Sequence, residues 1–124
     1  MIIDHVRNIE EFKRLFIERP MQTDVYNIDF ILNNPHLYCF YRENTDELLG
    51  FIFITENKGR LFLSGVSCKQ TPNRMSEINT AIITICNAYK QNMYSDTDLK
   101  HAQVVLRRAG FRRLRNTNIF KRSK

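Results

Sequence analysis

The stretch LLGFIFIT at residues 48–55 constrains the fold more than any other part of the chain, because it is apolar at nearly every position. A continuous apolar run of this length is typical of a strand that is covered on both faces of its sheet. Further strand-like segments lie at residues 37–42 and 60–68, and only short polar turns separate the three. The sequence therefore predicts a three-stranded meander, with a bulge or a close backbone approach at Gly65.

Four other segments have apolar residues at helical spacing, which predicts helices that pack against this sheet. In the first helix, Glu11 follows the candidate N-cap by three residues, as in a capping box. The last helix is predicted to end at Gly110, which can adopt the left-handed conformation. The candidate N-caps are Asn8, Asp24, Ser76 and either Asp96 or Thr97.

The predicted elements follow the order β-α-α-β-β-β-α-β-α-β-β. This order indicates an α/β (α+β) fold with one mixed, mostly antiparallel sheet and about four helices on its faces. A chain of 124 residues is long enough to bury one core without disulfides, so we expect a single domain over residues 1–124.

The basic residues are concentrated at one end of the chain. Residues 99–124 contain nine basic and no acidic side chains, whereas residues 1–98 contain ten basic and thirteen acidic ones. A basic segment of this kind attracts polyanions, so nucleic acid or an acidic protein surface is a candidate partner; a solvated basic face is the alternative. The candidate contact residues are Arg107, Arg108, Arg112, Arg113, Arg115, Lys121 and Arg122.

The cysteines and the apolar pattern point to the cytoplasm. Cys39, Cys68 and Cys86 are odd in number and have no CxxC spacing, which favours reduced, buried thiols in an intracellular protein. The first residues have no apolar core of a signal peptide, and no apolar run is long enough to predict a membrane span. The histidines and cysteines have no metal-ligand spacing, so we predict no metal site.

The element order, the segment ELLGFIFI and the closing pattern of Ala102 with Gly110 and Phe111 resemble the GNAT superfamily, the acetyl-CoA-dependent N-acyltransferases. The resemblance implies that acetyl-CoA lies between two splayed strands and that its pyrophosphate meets the loop before the main helix. Acetyl-CoA is accordingly the one candidate cofactor; the alternative is no cofactor. Laid onto this sequence, the cofactor-binding residues are Val66, Cys68, Gln70, Asn73, Arg74, Met75 and Ser76.

The sequence departs from the GNAT pattern in the cofactor loop and at the catalytic acid. Asn73 and Met75 occupy the positions of the small loop residues, and Met75 is expected to block the approach of the diphosphate. The position of the family's tyrosine acid is Leu106, which cannot donate a proton. Glu56 and Tyr94 are the remaining candidate catalytic residues.

Two functions are compatible with these departures. One is a catalytically degenerate GNAT-fold protein that acts as a binding or structural component, similar to the small GNAT-like virion proteins of phages. Its expected partners are nucleic acid, an acidic protein or other virion proteins, in the host cytoplasm or packaged in a virion. The alternative is an acetyl-CoA-dependent N-acetyltransferase with an atypical pyrophosphate loop.

Overall fold

The computed structural model describes residues 1–18 and 27–124 of the chain. These residues form seven strands and four helices in the order that the sequence predicted. The strands are β1 (Ile2–Asp4), β2 (Leu37–Tyr41), β3 (Leu48–Asn57), β4 (Arg60–Cys68), β5 (Met93–Asp96), β6 (Arg112–Arg113) and β7 (Ile119–Arg122), and the helices are α1 (Ile9–Glu18), α2 (Ile28–Leu32), α3 (Arg74–Ala88) and α4 (Lys100–Arg108).

The strands form one sheet in the spatial order β1-β2-β3-β4-β5-β7-β6. Each neighbouring pair is antiparallel except β4 and β5, which run parallel because helix α3 connects them as a crossover. The predicted α/β fold with a mixed, mostly antiparallel sheet is therefore confirmed.

The sheet separates two apolar clusters, one on each face. The first cluster contains Phe12 of α1 and Ile31 of α2, which pack against side chains of β2 and β3. The second cluster contains Ile82 of α3 and Leu106 of α4, and it extends along the sheet to Phe120 of β7. Helices therefore cover β2 and β3 on both faces, and the first seven residues of β3 are accordingly buried.

The predicted bulge is present in β4. Phe53 lies opposite Gly65, but the next residue, Ile54, lies opposite Leu63, so Ser64 is the extra residue. Its hydroxyl is hydrogen-bonded to the Thr55 hydroxyl across the strand pair. The bulge bends β4 shortly before its last residues, which lead to the loop in front of α3.

The predicted caps are correct for α1 and wrong for α3. Asn8 Oδ1 accepts a hydrogen bond from the Glu11 N–H at 3.0 Å. In a capping box, the Glu11 carboxylate would accept from the N-cap N–H. Here it accepts from the Leu48 N–H at 2.9 Å and so joins α1 to β3. Helix α3 begins at Arg74 with Asn73 at its N-cap, and Ser76 therefore lies inside the first turn.

The other two helices differ from the prediction at their first residues. The candidate cap Asp24 lies outside the described residues, and the described α2 has Asn27 at its N-cap. Leu99 occupies the N-cap of α4, and Thr97 acts one step earlier by accepting a hydrogen bond from the Leu99 N–H at 3.2 Å. Asp96 is the last residue of β5 and does not cap α4.

The predicted end of α4 is confirmed. Gly110 has a φ of +96°. The Phe111 N–H donates to the Leu106 carbonyl at 3.0 Å and the Gly110 N–H donates to the Arg107 carbonyl at 3.1 Å, which together form a Schellman motif. The motif turns the chain sharply, so that Phe111 enters the core between α4 and the sheet.

Among residues 1–18 and 27–124, none of the helices combines the length and the apolar content that crossing a bilayer requires.

Candidate functional site

Strands β4 and β5 form a cleft in the middle of the sheet, because they pair at only two positions. Leu61 lies opposite Met93 and Phe62 lies opposite Tyr94. Beyond these pairs the strands diverge, and no other described strand pairs with β4 on that side. The backbone N–H and C=O groups of this edge of β4 can therefore bind an extended ligand, as a further strand would.

A buried hydrogen bond fixes the point where the strands separate. The Ser95 hydroxyl donates to the Leu63 carbonyl at 3.0 Å, and the Ser95 side chain is buried. This bond joins β5 to β4 one residue after the last backbone pair. The apex of the cleft is therefore between Leu63 and Ser95.

A groove lies where β4 leads into α3, and we call it the α3 groove. It has a volume of about 650 Å³ and is bounded by the loop of residues 70–73, the first turns of α3 and the end of α4. The partial positive charge of a helix N-terminus favours anions here. The residues that line it are Gln70, Thr71, Pro72, Asn73, Arg74, Met75, Ser76, Asn79 and Arg108.

Two side chains of the α3 groove are suited to a charged, hydrogen-bonding ligand. Arg108 extends from the last turn of α4 and forms no ion pair with a described carboxylate. Asn79 Oδ1 is buried and has no hydrogen-bond partner among the described residues. A buried amide without a partner is costly, and a bound ligand would satisfy it.

The loop before α3 is held in place by Glu77. The Thr71 hydroxyl donates a hydrogen bond to one carboxylate oxygen of Glu77. The other oxygen lies 3.9 Å from the Arg42 guanidinium, which offsets the negative charge near the groove. Arg74 ties the loop to β4, because its Nε donates to the Cys68 carbonyl at 3.3 Å.

A cluster of aromatic side chains fixes the other end of α3. The Tyr89 hydroxyl is hydrogen-bonded to His36 Nδ1 at 2.8 Å and to the Tyr38 hydroxyl. Burial and the bond to Tyr38 raise the pKa of Tyr89, so its hydroxyl stays protonated. Both ends of α3 are therefore attached to the sheet, and the groove keeps a fixed position relative to the cleft.

No protein family model matches the chain, and no curated protein sequence matches it significantly. Solved structures are nevertheless similar to it over almost its whole length. A Bacillus subtilis acetyltransferase in complex with CoA matches with a TM-score of 0.65 at 12% identity, over 99% of this chain and 97% of that chain. Tetrahymena GCN5 matches with a TM-score of 0.60 at 10% identity, over 99% and 96%. An aminoglycoside 6'-acetyltransferase type Ii matches with a TM-score of 0.61 at 16% identity, over 99% and 97%.

The chain has the GNAT acetyltransferase fold. The predicted resemblance is therefore confirmed at the level of architecture. Identities of 10–16% establish the GNAT fold alone, so an activity has to be argued from the residues of the site.

The predicted cofactor-binding residues lie along β4 and around the α3 groove. The Cys68 side chain is fully buried in the core beneath α3, so only its backbone faces a ligand. Met75 lies in the first turn of α3, is 39% exposed and lines the α3 groove. Val66 packs partly against the same core as Cys68.

The two predicted catalytic residues do not lie together. Glu56 lies opposite Leu61, whose side chain belongs to the core on the α3 side of the sheet. Tyr94 lies opposite Phe62 and projects to the other face. Because directly opposite residues of neighbouring strands share a face, Glu56 and Tyr94 are on opposite faces of the sheet. Tyr94 is the nearer of the two to the apex of the cleft.

Several basic residues of the C-terminal segment form contacts within the chain. The Arg122 guanidinium donates to the Ala109 carbonyl at 2.9 Å, Arg113 donates to the Thr117 carbonyl at 2.7 Å, and Arg107 lies 5.5 Å from the centre of the Phe120 ring. Arg112 likewise donates to backbone carbonyls at the end of α4. None of these contacts neutralises the charge, because all of the ion pairs among the described residues involve residues 1–77.

The sequence analysis missed three residues of the site. Asn79 and Arg108 line the α3 groove, although Arg108 was predicted only as a contact for polyanions. Ser95 fixes the apex and was not predicted at all. The one signal for Ser95 in the sequence was a polar residue within a short predicted strand. Its partner, the Leu63 carbonyl, can be identified only from the folded structure.

Proposed function

We propose that the chain is an N-acyltransferase that uses a CoA thioester, with acetyl-CoA as the donor. The observation that carries the proposal is the cleft between β4 and β5, whose apex is fixed by Ser95 and which leads along β4 to the α3 groove. Lys69, the residue after β4, is six positions beyond Leu63, so the backbone from the apex to the end of β4 extends for roughly 20 Å. This edge of β4 can accommodate an elongated molecule with its reactive end at the apex and its phosphates at the groove.

The residues of the α3 groove fit the phosphates of such a donor. The N-terminus of α3 provides backbone N–H groups, and Arg74 and Arg108 contribute positive charge beside them. The oxygen and nitrogen of an asparagine amide exchange places when the amide rotates by half a turn. With the amide turned in this way, Nδ2 of Asn79 takes the position without a partner among the described residues, and from there it can donate to a phosphate oxygen.

The chain contributes mainly positioning to the chemistry. A CoA thioester supplies an activated acyl group when it is bound. Leu106, at the position of the family's tyrosine acid, is 4% exposed and packs in the core. This position therefore stabilises the fold and does not donate a proton. Tyr94, beside the apex, or solvent is then the proton donor to the departing thiolate, and the amine loses its proton to water. Alignment of the two reactants alone can supply a large part of the rate enhancement.

Calorimetry with acetyl-CoA tests this proposal directly. We expect micromolar affinity, and we expect Arg108→Gln to weaken it about tenfold, because a hydrogen-bonded ion pair with phosphate is lost. Arg115→Gln removes the same charge from the exposed turn between β6 and β7 and serves as the matched control. Absence of heat at millimolar acetyl-CoA would refute the proposal.

The second candidate is a GNAT-fold protein without catalysis that binds nucleic acid through its basic segment. It is favoured by one observation: no described carboxylate neutralises any basic residue of residues 99–124. For this candidate, we also propose the role in a virion and the cytoplasmic location that the sequence suggested.

Filter binding of single- and double-stranded nucleic acid across a salt series tests the second candidate. Four phosphate contacts would give a slope of about −3.6 in log K against log salt for duplex DNA. Polyglutamate in a parallel experiment distinguishes an acidic protein surface from nucleic acid. Retention that does not depend on salt, or none at low salt, would contradict this candidate.

A further inference from the structure

One face of the sheet carries a row of side chains beside the apex of the cleft. The register places Thr55, Phe62, Tyr94 and Lys121 directly opposite one another on the adjacent strands β3, β4, β5 and β7. Directly opposite residues project to the same face and lie about 5 Å apart from strand to strand. These four side chains therefore form a row, which we call the acceptor row.

The helices of the described residues leave this face of β4, β5 and β7 uncovered. Helices α1 and α2 lie on the same side of the sheet, but the buried residues that pack with them come from β2 and β3 only. The neighbours of the acceptor row in β4, β5 and β7, such as Met93 and Phe120, project the other way and pack in the core with α3 and α4. On the side opposite α3, Thr55, Phe62 and Lys121 of the acceptor row are partly exposed, whereas Tyr94 is only 8% exposed and lies beside the Arg60 guanidinium.

Two positive charges flank the aromatic side chains of the acceptor row. The Arg60 guanidinium lies 4.9 Å from the centre of the Tyr94 ring, and the Phe62 and Tyr94 rings are 5.7 Å apart. Lys121 lies on the other side of Tyr94, one strand farther along. Neither Arg60 nor Lys121 forms an ion pair with a carboxylate of the described residues.

We propose that the acceptor row binds the acyl acceptor, and that this acceptor is a primary amine that carries a phosphate group. This inference rests on the proposed acyltransferase function. A phosphate monoester has a charge of about −1.5 to −2 at pH 7, which suits Arg60, Lys121 and Arg112, the residue opposite Lys121 on β6, better than the single charge of a carboxylate does. The aromatic rings contact the organic part of the molecule, and its amine reaches the apex at Leu63 and Ser95.

Pyridoxamine 5'-phosphate and pyridoxamine are a suitable pair of probes, because they differ only in the phosphate. With acetyl-CoA as the donor, we expect kcat/KM to be about tenfold higher for the phosphorylated amine, as for a charge-assisted contact. Lys121→Gln should abolish most of this preference. Lys100→Gln is the matched control, because Lys100 is exposed at the start of α4 on the opposite side of the sheet, and it should leave the preference unchanged.

Binding of the two amines is also measured by NMR titration without acetyl-CoA, which separates this inference from the proposed function. Equal affinities for both amines, or a preference that survives Lys121→Gln, overturn the inference even if acetyl-CoA binds to the α3 groove. A preference for 4-(aminomethyl)benzoate over benzylamine that exceeds the phosphate preference overturns the choice of phosphate. Phosphate-dependent binding that Lys121→Gln removes, together with turnover of the bound amine, supports it.

Discussion

The hydrogen bond between Ser95 and the Leu63 carbonyl determines where β4 and β5 separate, so replacing Ser95 with alanine is the sharpest test of how the cleft is built. The substitution removes the hydroxyl that donates to the Leu63 carbonyl at a buried position. Removing one partner of a buried hydrogen bond costs about 1–3 kcal/mol. For a chain of this size, each kcal/mol lowers Tm by about 4 °C.

Urea denaturation followed by circular dichroism measures this loss, and calorimetry with acetyl-CoA measures its effect on the cleft. We expect Ser95→Ala to lower the urea midpoint at an unchanged m-value and to weaken acetyl-CoA binding. Ser123→Ala makes the same chemical change at an exposed position and should change neither quantity. A stability loss under about 0.5 kcal/mol, the range of ordinary surface substitutions, would show that Ser95 does not fix the apex.

Three further predictions concern the sheet and the ends of α3. Gly50→Ala should destabilise the fold by about 1–3 kcal/mol in urea denaturation, because its Cβ would clash with the Ser67 carbonyl and the Phe40 ring; an unchanged midpoint would contradict this close approach. Tyr89→Phe removes the hydroxyl bonded to His36 and should lower stability by about 1–2 kcal/mol, unless water replaces the bond and Tm stays the same. Burial raises the pKa of the Cys86 thiol from 9.0 to about 11. The stability that the protonated thiol contributes is therefore complete below pH 9 and falls by about 1.4 kcal/mol per pH unit as the pH rises towards 11. The urea midpoint should depend less on pH over this range in Cys86→Ala than in the unsubstituted protein.

The central strands could be predicted from the sequence because their burial is local information. A strand that is covered on both faces has to be apolar at consecutive positions, and residues 48–55 satisfy that requirement whatever the rest of the chain does. The same holds for the end of α4, where Gly110 alone permits the positive φ that the turn needs. In both cases a backbone requirement restricts which residue types the positions can hold.

The apex of the cleft could not be predicted, because it depends on a contact between residues that are 32 positions apart. A serine in a short strand has many possible partners, and the sequence does not indicate that the neighbouring strand is parallel and pairs at only two positions. The sequence also could not predict that Glu56 and Tyr94 lie on opposite faces of the sheet. The relative orientation of a residue on β3 and one on β5 depends on the register of β4, the strand between them.

The start of α3 shows how the local structure around Met75 differs from the structure that the sequence predicted. Ser76 was the expected cap, which would have left Met75 in a loop directly over the phosphates. Helix α3 instead begins at Arg74, and two hydrogen bonds from the preceding loop support this start. The Arg74 N–H donates to the Thr71 carbonyl at 3.2 Å, and the Thr71 hydroxyl donates to Glu77. Met75 is therefore helical, and its flexible side chain can adjust in the wall of the groove. Met75 narrows the groove where a small residue would not, whereas the charge of Arg108 and the N-terminus of α3 still favour an anion there.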